Sequence, residues 1–300
     1  IGFGQVSASA PLMGLCAERG VSLNFFTEHG RFLARIEGPV SGNVLLRRAQ
    51  YRTSDDPQSA ADIAATLIAA KIANSRFVLQ RSLRDRSGEA PNQPVQAAVD
   101  HLATLLRRVR HEPMDIDTVR GYEGAAARAY FEVFDHLILG GNEVFRFEGR
   151  NRRPPRDATN ALLSFIYTLL RHDIAAGLEG VGLDPAVGFL HRDRPGRPAL
   201  ALDLMEELRA PLADRLVLAL INRKQLKASG FTTTESGAVS MDDDTRKAVL
   251  VAWQERKRET LRHPYLDETV EIGLIPHLQA LLLANFLRGN LDAYPAFIWR

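Results

Sequence analysis

Three stretches of this 300-residue chain carry side chains that could hold a metal or handle a phosphate. The first is Gly121-Tyr122-Glu123-Gly124-Ala125-Ala126-Ala127-Arg128-Ala129-Tyr130. So much glycine and alanine leaves one helix face with little bulk, where another backbone or a ligand can approach. Glu123 stands there between glycines that are costly in a helix. A tight helix–helix contact with a surface glutamate would give the same composition. The second is Gly188-Phe189-Leu190-His191-Arg192-Asp193-Arg194-Pro195-Gly196-Arg197. His191 joins an apolar stretch to a basic turn, either as a ligand or as a hydrogen-bonded structural histidine. The third is Leu202-Asp203-Leu204-Met205-Glu206-Glu207-Leu208-Arg209-Ala210-Pro211. On a helix Asp203 and Glu206 share a face, and Arg209 extends the row one step further. Two carboxylates beside a guanidinium suit a divalent cation next to a phosphate. Hard oxygen ligands with one imidazole suit Mg²⁺ or Mn²⁺. An amphipathic helix with an ion pair gives the same pattern.

Other chemistries are excluded. The chain has no glycine-rich phosphate loop, dinucleotide fingerprint, His-Glu-x-x-His or nucleophile elbow, which removes the commonest nucleotide-dependent and hydrolase classes. Its single cysteine, Cys16, rules out an internal disulfide and a cysteine-based zinc site. A packed thiol in a reducing, cytoplasmic compartment fits. The net charge is only +2, so bulk charge does not announce a nucleic acid. Its distribution says more. Arginines cluster at Arg47, Arg48 and Arg52; at Arg81, Arg84 and Arg86; at Arg107, Arg108 and Arg110; and at Arg146, Arg150, Arg152, Arg153 and Arg156. Guanidinium forks suit phosphate oxygens, although each cluster alone also reads as a solvated helix face.

These side chains need elements to position them. Residues 9–19 are small and helix-compatible. Residues 21–27 and 31–37 are apolar runs around Glu28-His29-Gly30, a β-hairpin signature. Two strands do not make a stable sheet. Because the chain starts at Ile1, earlier strands of a β-domain are expected to be missing. From residue 44 the pattern is helical, over 44–52, 60–84, 95–110, 116–139, 158–178, 200–227, 244–262 and 270–288. A polar break, Ser54-Asp55-Asp56-Pro57, can cap the second of these. Residues 87–94 are a loop, 140–155 a long arginine-rich connection, and 231–240 a hairpin or ordered loop. The apolar runs at 161–170 and 278–287 read as core helices, not bilayer spans, and the N-terminal residues show no basic-then-apolar signal pattern. The fold class is mainly α: a small β-containing part over residues 1–40, then a large all-α domain over 41–300.

Together and in order, the three segments closely resemble the CRISPR-associated Cas1 endonuclease/integrase family. Further matching segments are Ser41-Gly42-Asn43-Val44-Leu45-Leu46-Arg47-Arg48, Asn160-Ala161-Leu162-Leu163-Ser164 with Tyr167, and the aromatic C-terminal end. The wording is similar to the subtype I-C branch, and the resemblance covers essentially the whole chain. It implies that Glu123, His191 and Glu206 hold Mg²⁺ or Mn²⁺, with Asp203 a neighbouring acid (supporting group or additional ligand) and Arg209 near the scissile phosphate. The family often carries Asp where this chain has Glu206, which adds one methylene of reach. The resemblance also implies a homodimer, joined by the small Cas2 protein, that inserts short DNA fragments into a CRISPR array. The competing readings are a non-catalytic helical DNA-binding scaffold and a purely hydrolytic metal-dependent nuclease.

Overall fold

The computed structural model describes residues 2–19, 21, 23–28, 32–36, 44–86, 92–139 and 143–299. The expected turn at His29-Gly30, most of the loop at 87–94 and the start of the connection at 140–155 lie outside these residues. Near the N-terminus, β2 (Leu23–Phe26) pairs antiparallel with β3 (Phe32–Ile36), as the two apolar runs anticipate. A third strand, β1 (Gly2–Phe3), adds to β2 in parallel, with Gly2 opposite Phe25. At two residues it is too short to read from alternation. Helix α1 (Ala10–Glu18) crosses between β1 and β2. The sheet docks through its aromatics: Phe3 stacks on Phe26 with centroids 5.1 Å apart, and Phe26 meets His172 edge-on at 5.2 Å.

The helical part is built around α3 (Pro57–Asp85). Asp56 caps it, accepting a 2.8 Å hydrogen bond from the Ser59 amide, while Pro57 takes a first-turn position where no amide is needed. The helix packs against α2 (Val44–Asp55), α4 (Gln93–His111), α5 (Ile116–Glu132) and α7 (Ala199–Leu208). Its side chains Leu67, Ile68 and Ile72 are fully buried, each stabilising by about 1.5–3 kcal/mol. Asp115 and Asp157 cap α5 and α6 (Ala158–Gly180) in the same manner as Asp56. Helix α6 is long and apolar enough by length and composition to cross a bilayer, but 67% of its apolar window is buried inside the protein. It is the core helix that the run at 161–170 suggested. It lies so close to α10 (Ile275–Leu287) that a Cβ on Gly177 would meet the His277 Cα at 3.1 Å.

Several elements depart from the helical pattern. The expected helix at 116–139 ends at Glu132 and gives way to a 3₁₀ turn over Phe134–Leu137. The one at 200–227 is three segments: α7, a π-helical turn over Arg209–Asp214, and α8 (Arg215–Asn222). Pro211 lacks an amide and cannot join a regular ladder, so the turn widens around it. Helix α9 (Asp243–Arg258) stops short of residue 262, because residues 260–262 form strand β6 (Thr260–Arg262). It pairs with β7 (Thr269–Glu271), and Pro264 biases His263 away from helix. Helix α10 accordingly begins at Ile275, not at 270. With the hairpin of β4 (Phe231–Thr233) and β5 (Val239–Met241), the described residues from 44 to 299 are mostly, but not wholly, helical.

Candidate catalytic site

Four elements converge on the acids. Helix α5 supplies Glu123, α7 supplies Asp203 and Glu206, the loop before α7 supplies His191, and α3 supplies Lys71. Lys71 Nζ donates to Glu123 Oε1 and stands 2.7 Å from Glu206 Oε2. One ammonium therefore bridges both carboxylates. Arg209, at the start of the π turn, lies 3.0 Å from the other Glu206 oxygen. Glu206 is only 2% exposed. Burial pushes its carboxyl up, but Arg209, Lys71 and the His191 ring outweigh burial and hold it at about 2.

Asp203 has a different task. Its buried carboxylate accepts backbone amides from Phe189 at 2.6 Å, Leu190 at 2.9 Å and His191 at 3.0 Å. Its Oδ1 also faces His191 Nδ1 at 2.6 Å. A carboxylate facing Nδ1 favours that nitrogen as the donor and leaves Nε2 turned away from Asp203. Asp203 thus folds the loop and sets the ring; four hydrogen bonds occupy it as a supporting group. The loop must come close for this to work: a Cβ on Gly188 would sit 2.5 Å from Asp203 Oδ2 and 2.9 Å from the Ala199 carbonyl carbon.

Glu123 and His191 share a cavity of about 350 Å³ with Leu190 and four arginines, Arg120, Arg192, Arg194 and Arg197. An acid and an imidazole lined by guanidiniums suit a phosphate diester. A larger cavity of about 640 Å³, between the start of α3, the end of α4 and residues 294–298, touches none of these side chains. Behind Arg209, Tyr167 is flanked by two guanidiniums, Arg209 at 5.2 Å and Arg150 at 5.3 Å from its ring centroid. Its hydroxyl donates to Asp214 at 2.6 Å. Burial raises Asp214 to about 6, against the lowering pull of Tyr167, Tyr130 and the two arginines. Arg150 is itself oriented by Asn160 Oδ1 at 2.6 Å and Ser164 Oγ at 3.1 Å.

Lys71 and Asp214 were missed as parts of this site. The signal for Lys71 was its isolation: a single cation in an alanine- and isoleucine-rich turn of helix, where nothing apolar explains it. Asp214 follows Arg209 by five residues, a spacing that shares a face only because the helix widens.

The donor set can be tested for a metal on its own geometry. Among the described residues, no three His, Cys, Asp or Glu side chains stand ready in ligating positions. Lys71 occupies the space between the two acids. Even so, Glu206 Oε2 is buried and, despite its closeness to Lys71, accepts no hydrogen bond in good geometry. Two carboxylates drawn to one cation, with an imidazole nitrogen turned away from its carboxylate partner, are donor types that suit a hard divalent ion.

The Cas1 family model, described as CRISPR associated protein Cas1, matches residues 1–255. The chain belongs to the Cas1 family. It is 52% identical over 298 residues to CRISPR-associated endonuclease Cas1 1 of Chlorobaculum tepidum, covering 99% of this chain and 87% of that relative. It is 55% identical over 301 residues to CRISPR-associated endonuclease Cas1 2 of Rhodospirillum rubrum, with the same coverage. Among solved structures, a casposase bound to integration product superposes with a TM-score of 0.82 over 97% of this chain and 79% of that one. At 21% identity, that match speaks for the fold alone.

Proposed function

We propose that this Cas1-family chain is a metal-dependent DNA integrase and endonuclease of CRISPR adaptation. The observation that carries the reading is the convergence of Glu123 and Glu206 on one cation beneath an arginine-rimmed cavity that also holds His191. Glu123, Glu206 and Nε2 of His191 would hold Mg²⁺ or Mn²⁺. When bound, the ion supplies Lewis-acid polarisation of the phosphoryl oxygen and stabilises charge on the attacking or leaving oxygen. Arg209 and the rim arginines hold the phosphate for in-line attack, a positioning effect. Asp203 keeps the His191 ring in one tautomer, and Lys71 neutralises the acid pair when no ion is present.

In the reaction, a DNA 3′-hydroxyl oxygen bonds to the phosphorus of a repeat phosphodiester. The bond from that phosphorus to its own 3′-oxygen breaks. The attacking hydroxyl loses its proton to solvent and the released 3′-oxygen gains one. One phosphodiester replaces another, so no ATP is needed; water in place of the hydroxyl gives hydrolysis. The partners proposed are prespacer and repeat DNA, a second copy of the chain, and Cas2, acting in the cytoplasm with no membrane. The wording of the sequence segments supports placement in the subtype I-C branch.

The test is joining of a 3′-hydroxyl oligonucleotide into a supercoiled plasmid, with Cas2 supplied, in Mn²⁺ and with a chelator control. Joined product that the chelator removes is expected. Cleavage without joining leaves a hydrolytic nuclease, and neither activity leaves a DNA-binding scaffold.

A further inference from the structure

A second cluster of arginines, remote from the acids, has the chemistry of an anion site. At the junction of α8, α9 and the C-terminal segment, Arg215, Arg223 and Arg256 line a cavity of about 180 Å³. Arg215 and Arg256 both lie over the indole of Trp299, their guanidinium carbons 4.7 and 5.6 Å from its ring centroid. Like charges gathered on one ring repel each other. Burial lowers Arg215 to about 10, and the neighbouring charges of Arg81 and Arg256 add to the lowering.

The donors there are not used up. Arg256 Nη1 donates to Glu259, but Arg256 Nη2 and Arg215 Nη1 are buried and meet no hydrogen-bond partner among the described residues. Buried guanidinium N–H groups without acceptors are rare, because each costs its full desolvation. Glu255 and Glu259 also line the cavity, so three guanidiniums face two carboxylates and one positive charge is in excess. An oxyanion with several acceptor oxygens would satisfy both orphaned donors and the excess charge together.

We infer that Arg215 and Arg256, fixed on Trp299, form a second phosphate site that grips the backbone of the same DNA whose reacting phosphate lies at Glu206. This rests on the DNA reading proposed above. The choice of a DNA phosphate comes from how the two places are joined. Helix α3 carries Lys71 at the acids and Arg81 beside Arg215, ten residues on, about 15 Å along its axis. Between them Asn74 ties down the C-terminal segment, accepting the Trp299 amide at 2.8 Å and donating to the Phe297 carbonyl at 2.8 Å. The two sites are thus held at a fixed separation by one helix. Because a strand winds around the duplex as it rises about 3.4 Å per nucleotide, phosphates about 15 Å apart in a straight line are only a few nucleotides apart.

The test measures binding by the full chain, in chelator so that no turnover occurs. Duplexes carry a neutral methylphosphonate at successive positions from the reacting phosphate. For wild type, affinity should drop at one position, a few nucleotides away. In Arg215→Gln/Arg256→Gln that drop should vanish, and the slope of log affinity against log salt should shrink by about 0.9. Arg215→Lys/Arg256→Lys guards against misfolding: it should keep the salt slope yet bind several-fold more weakly, through loss of the planar forks. Wild-type affinity in the lysine pair, or an unchanged slope in a folded glutamine pair, overturns the site. So does inorganic phosphate raising the melting temperature of wild type alone while no methylphosphonate position matters, since the site then takes a free anion. Loss of Cas2 capture with DNA binding intact also overturns it, in favour of an acidic protein surface. If wild type joins strands while the glutamine pair keeps its slope, this site fails and the DNA reading stands.

Discussion

Lys71 Nζ lies 2.7 Å from Glu206 Oε2 and bonds Glu123 at the same time, so a side chain of the longest helix neutralises the acids of two others. Glu206 is nearly inaccessible, and an unpaired charge there is costly.

Lys71→Met tests this arrangement. Removing the ammonium leaves two facing carboxylates short of one positive charge, Glu206 retaining Arg209. Breaking one partner from a buried pair costs about 3–5 kcal/mol, and partial exposure of Glu123 places the expected loss toward the lower end. Mn²⁺ should then raise the melting temperature of Lys71→Met by more than it raises that of wild type, because the ion supplies what the lysine did. Thermal melts with and without Mn²⁺ decide it. Equal shifts in both proteins would show that the ion does not enter between these acids.

Asp203→Asn probes the support under His191. An amide cannot accept three backbone N–H groups and also fix the Nδ1 proton, so the ring loses its single tautomer. Strand joining should fall about 10–100-fold, the usual cost of removing an outer partner of a ligand. Nitrogen NMR of the imidazole should change from an Nδ1-protonated pattern to a mixture. An unchanged pattern would remove Asp203 from this role.

Stability should depend on pH through Asp214. Its folded value of about 6 lies above the 3.8 of an ordinary aspartate, so the folded protein keeps a proton that the unfolded chain releases. Stability from this group is therefore present below about pH 4 and lost as pH rises toward 6. The full change is about 3 kcal/mol. Asp214→Asn, which keeps an acceptor for Tyr167, should remove that slope. Urea unfolding of both proteins from pH 4 to 7 measures it; parallel curves would refute the assignment.

The legible parts of this protein were those written locally. Asp56 before Pro57 marked the start of α3, and the three-residue spacing put Asp203 and Glu206 on α7 with Arg209 at the start of the turn that follows. The resemblance, not the spacing, brought in Glu123 and His191. What stayed hidden depends on distant partners. Thr260 reads as the end of a helix until Glu271 pairs with it, and Lys71 reads as a stray surface charge until α5 and α7 close over it. Spacing alone did not separate Asp203 from Glu206; the resemblance did, making Asp203 the neighbouring acid. The fold supplies the contacts behind that difference, turning Asp203 toward a backbone loop and Glu206 toward the cations.

Gly188→Ala should separate the geometry of that loop from its chemistry. The added methyl would stand 2.5 Å from an Asp203 oxygen and 2.9 Å from the Ala199 carbonyl carbon, neither of which can yield cheaply. Asp203 is pinned by the amides it accepts, and Ala199 is the first residue of α7. The loop itself must then move, lengthening the 2.6 Å and 2.9 Å bonds from Phe189 and Leu190 and carrying His191 away from the acids. Strain of this kind costs about 1–3 kcal/mol, so the variant should still fold. Joining should nevertheless fall by about 10²-fold, as misplacement near 1 Å does. Non-specific DNA binding, held by arginines elsewhere, should persist. The pair of measurements is a plasmid-joining assay and a binding isotherm at the same salt. Joining at the wild-type rate would mean that the loop tolerates the methyl and that Gly188 is not needed for the approach to Asp203.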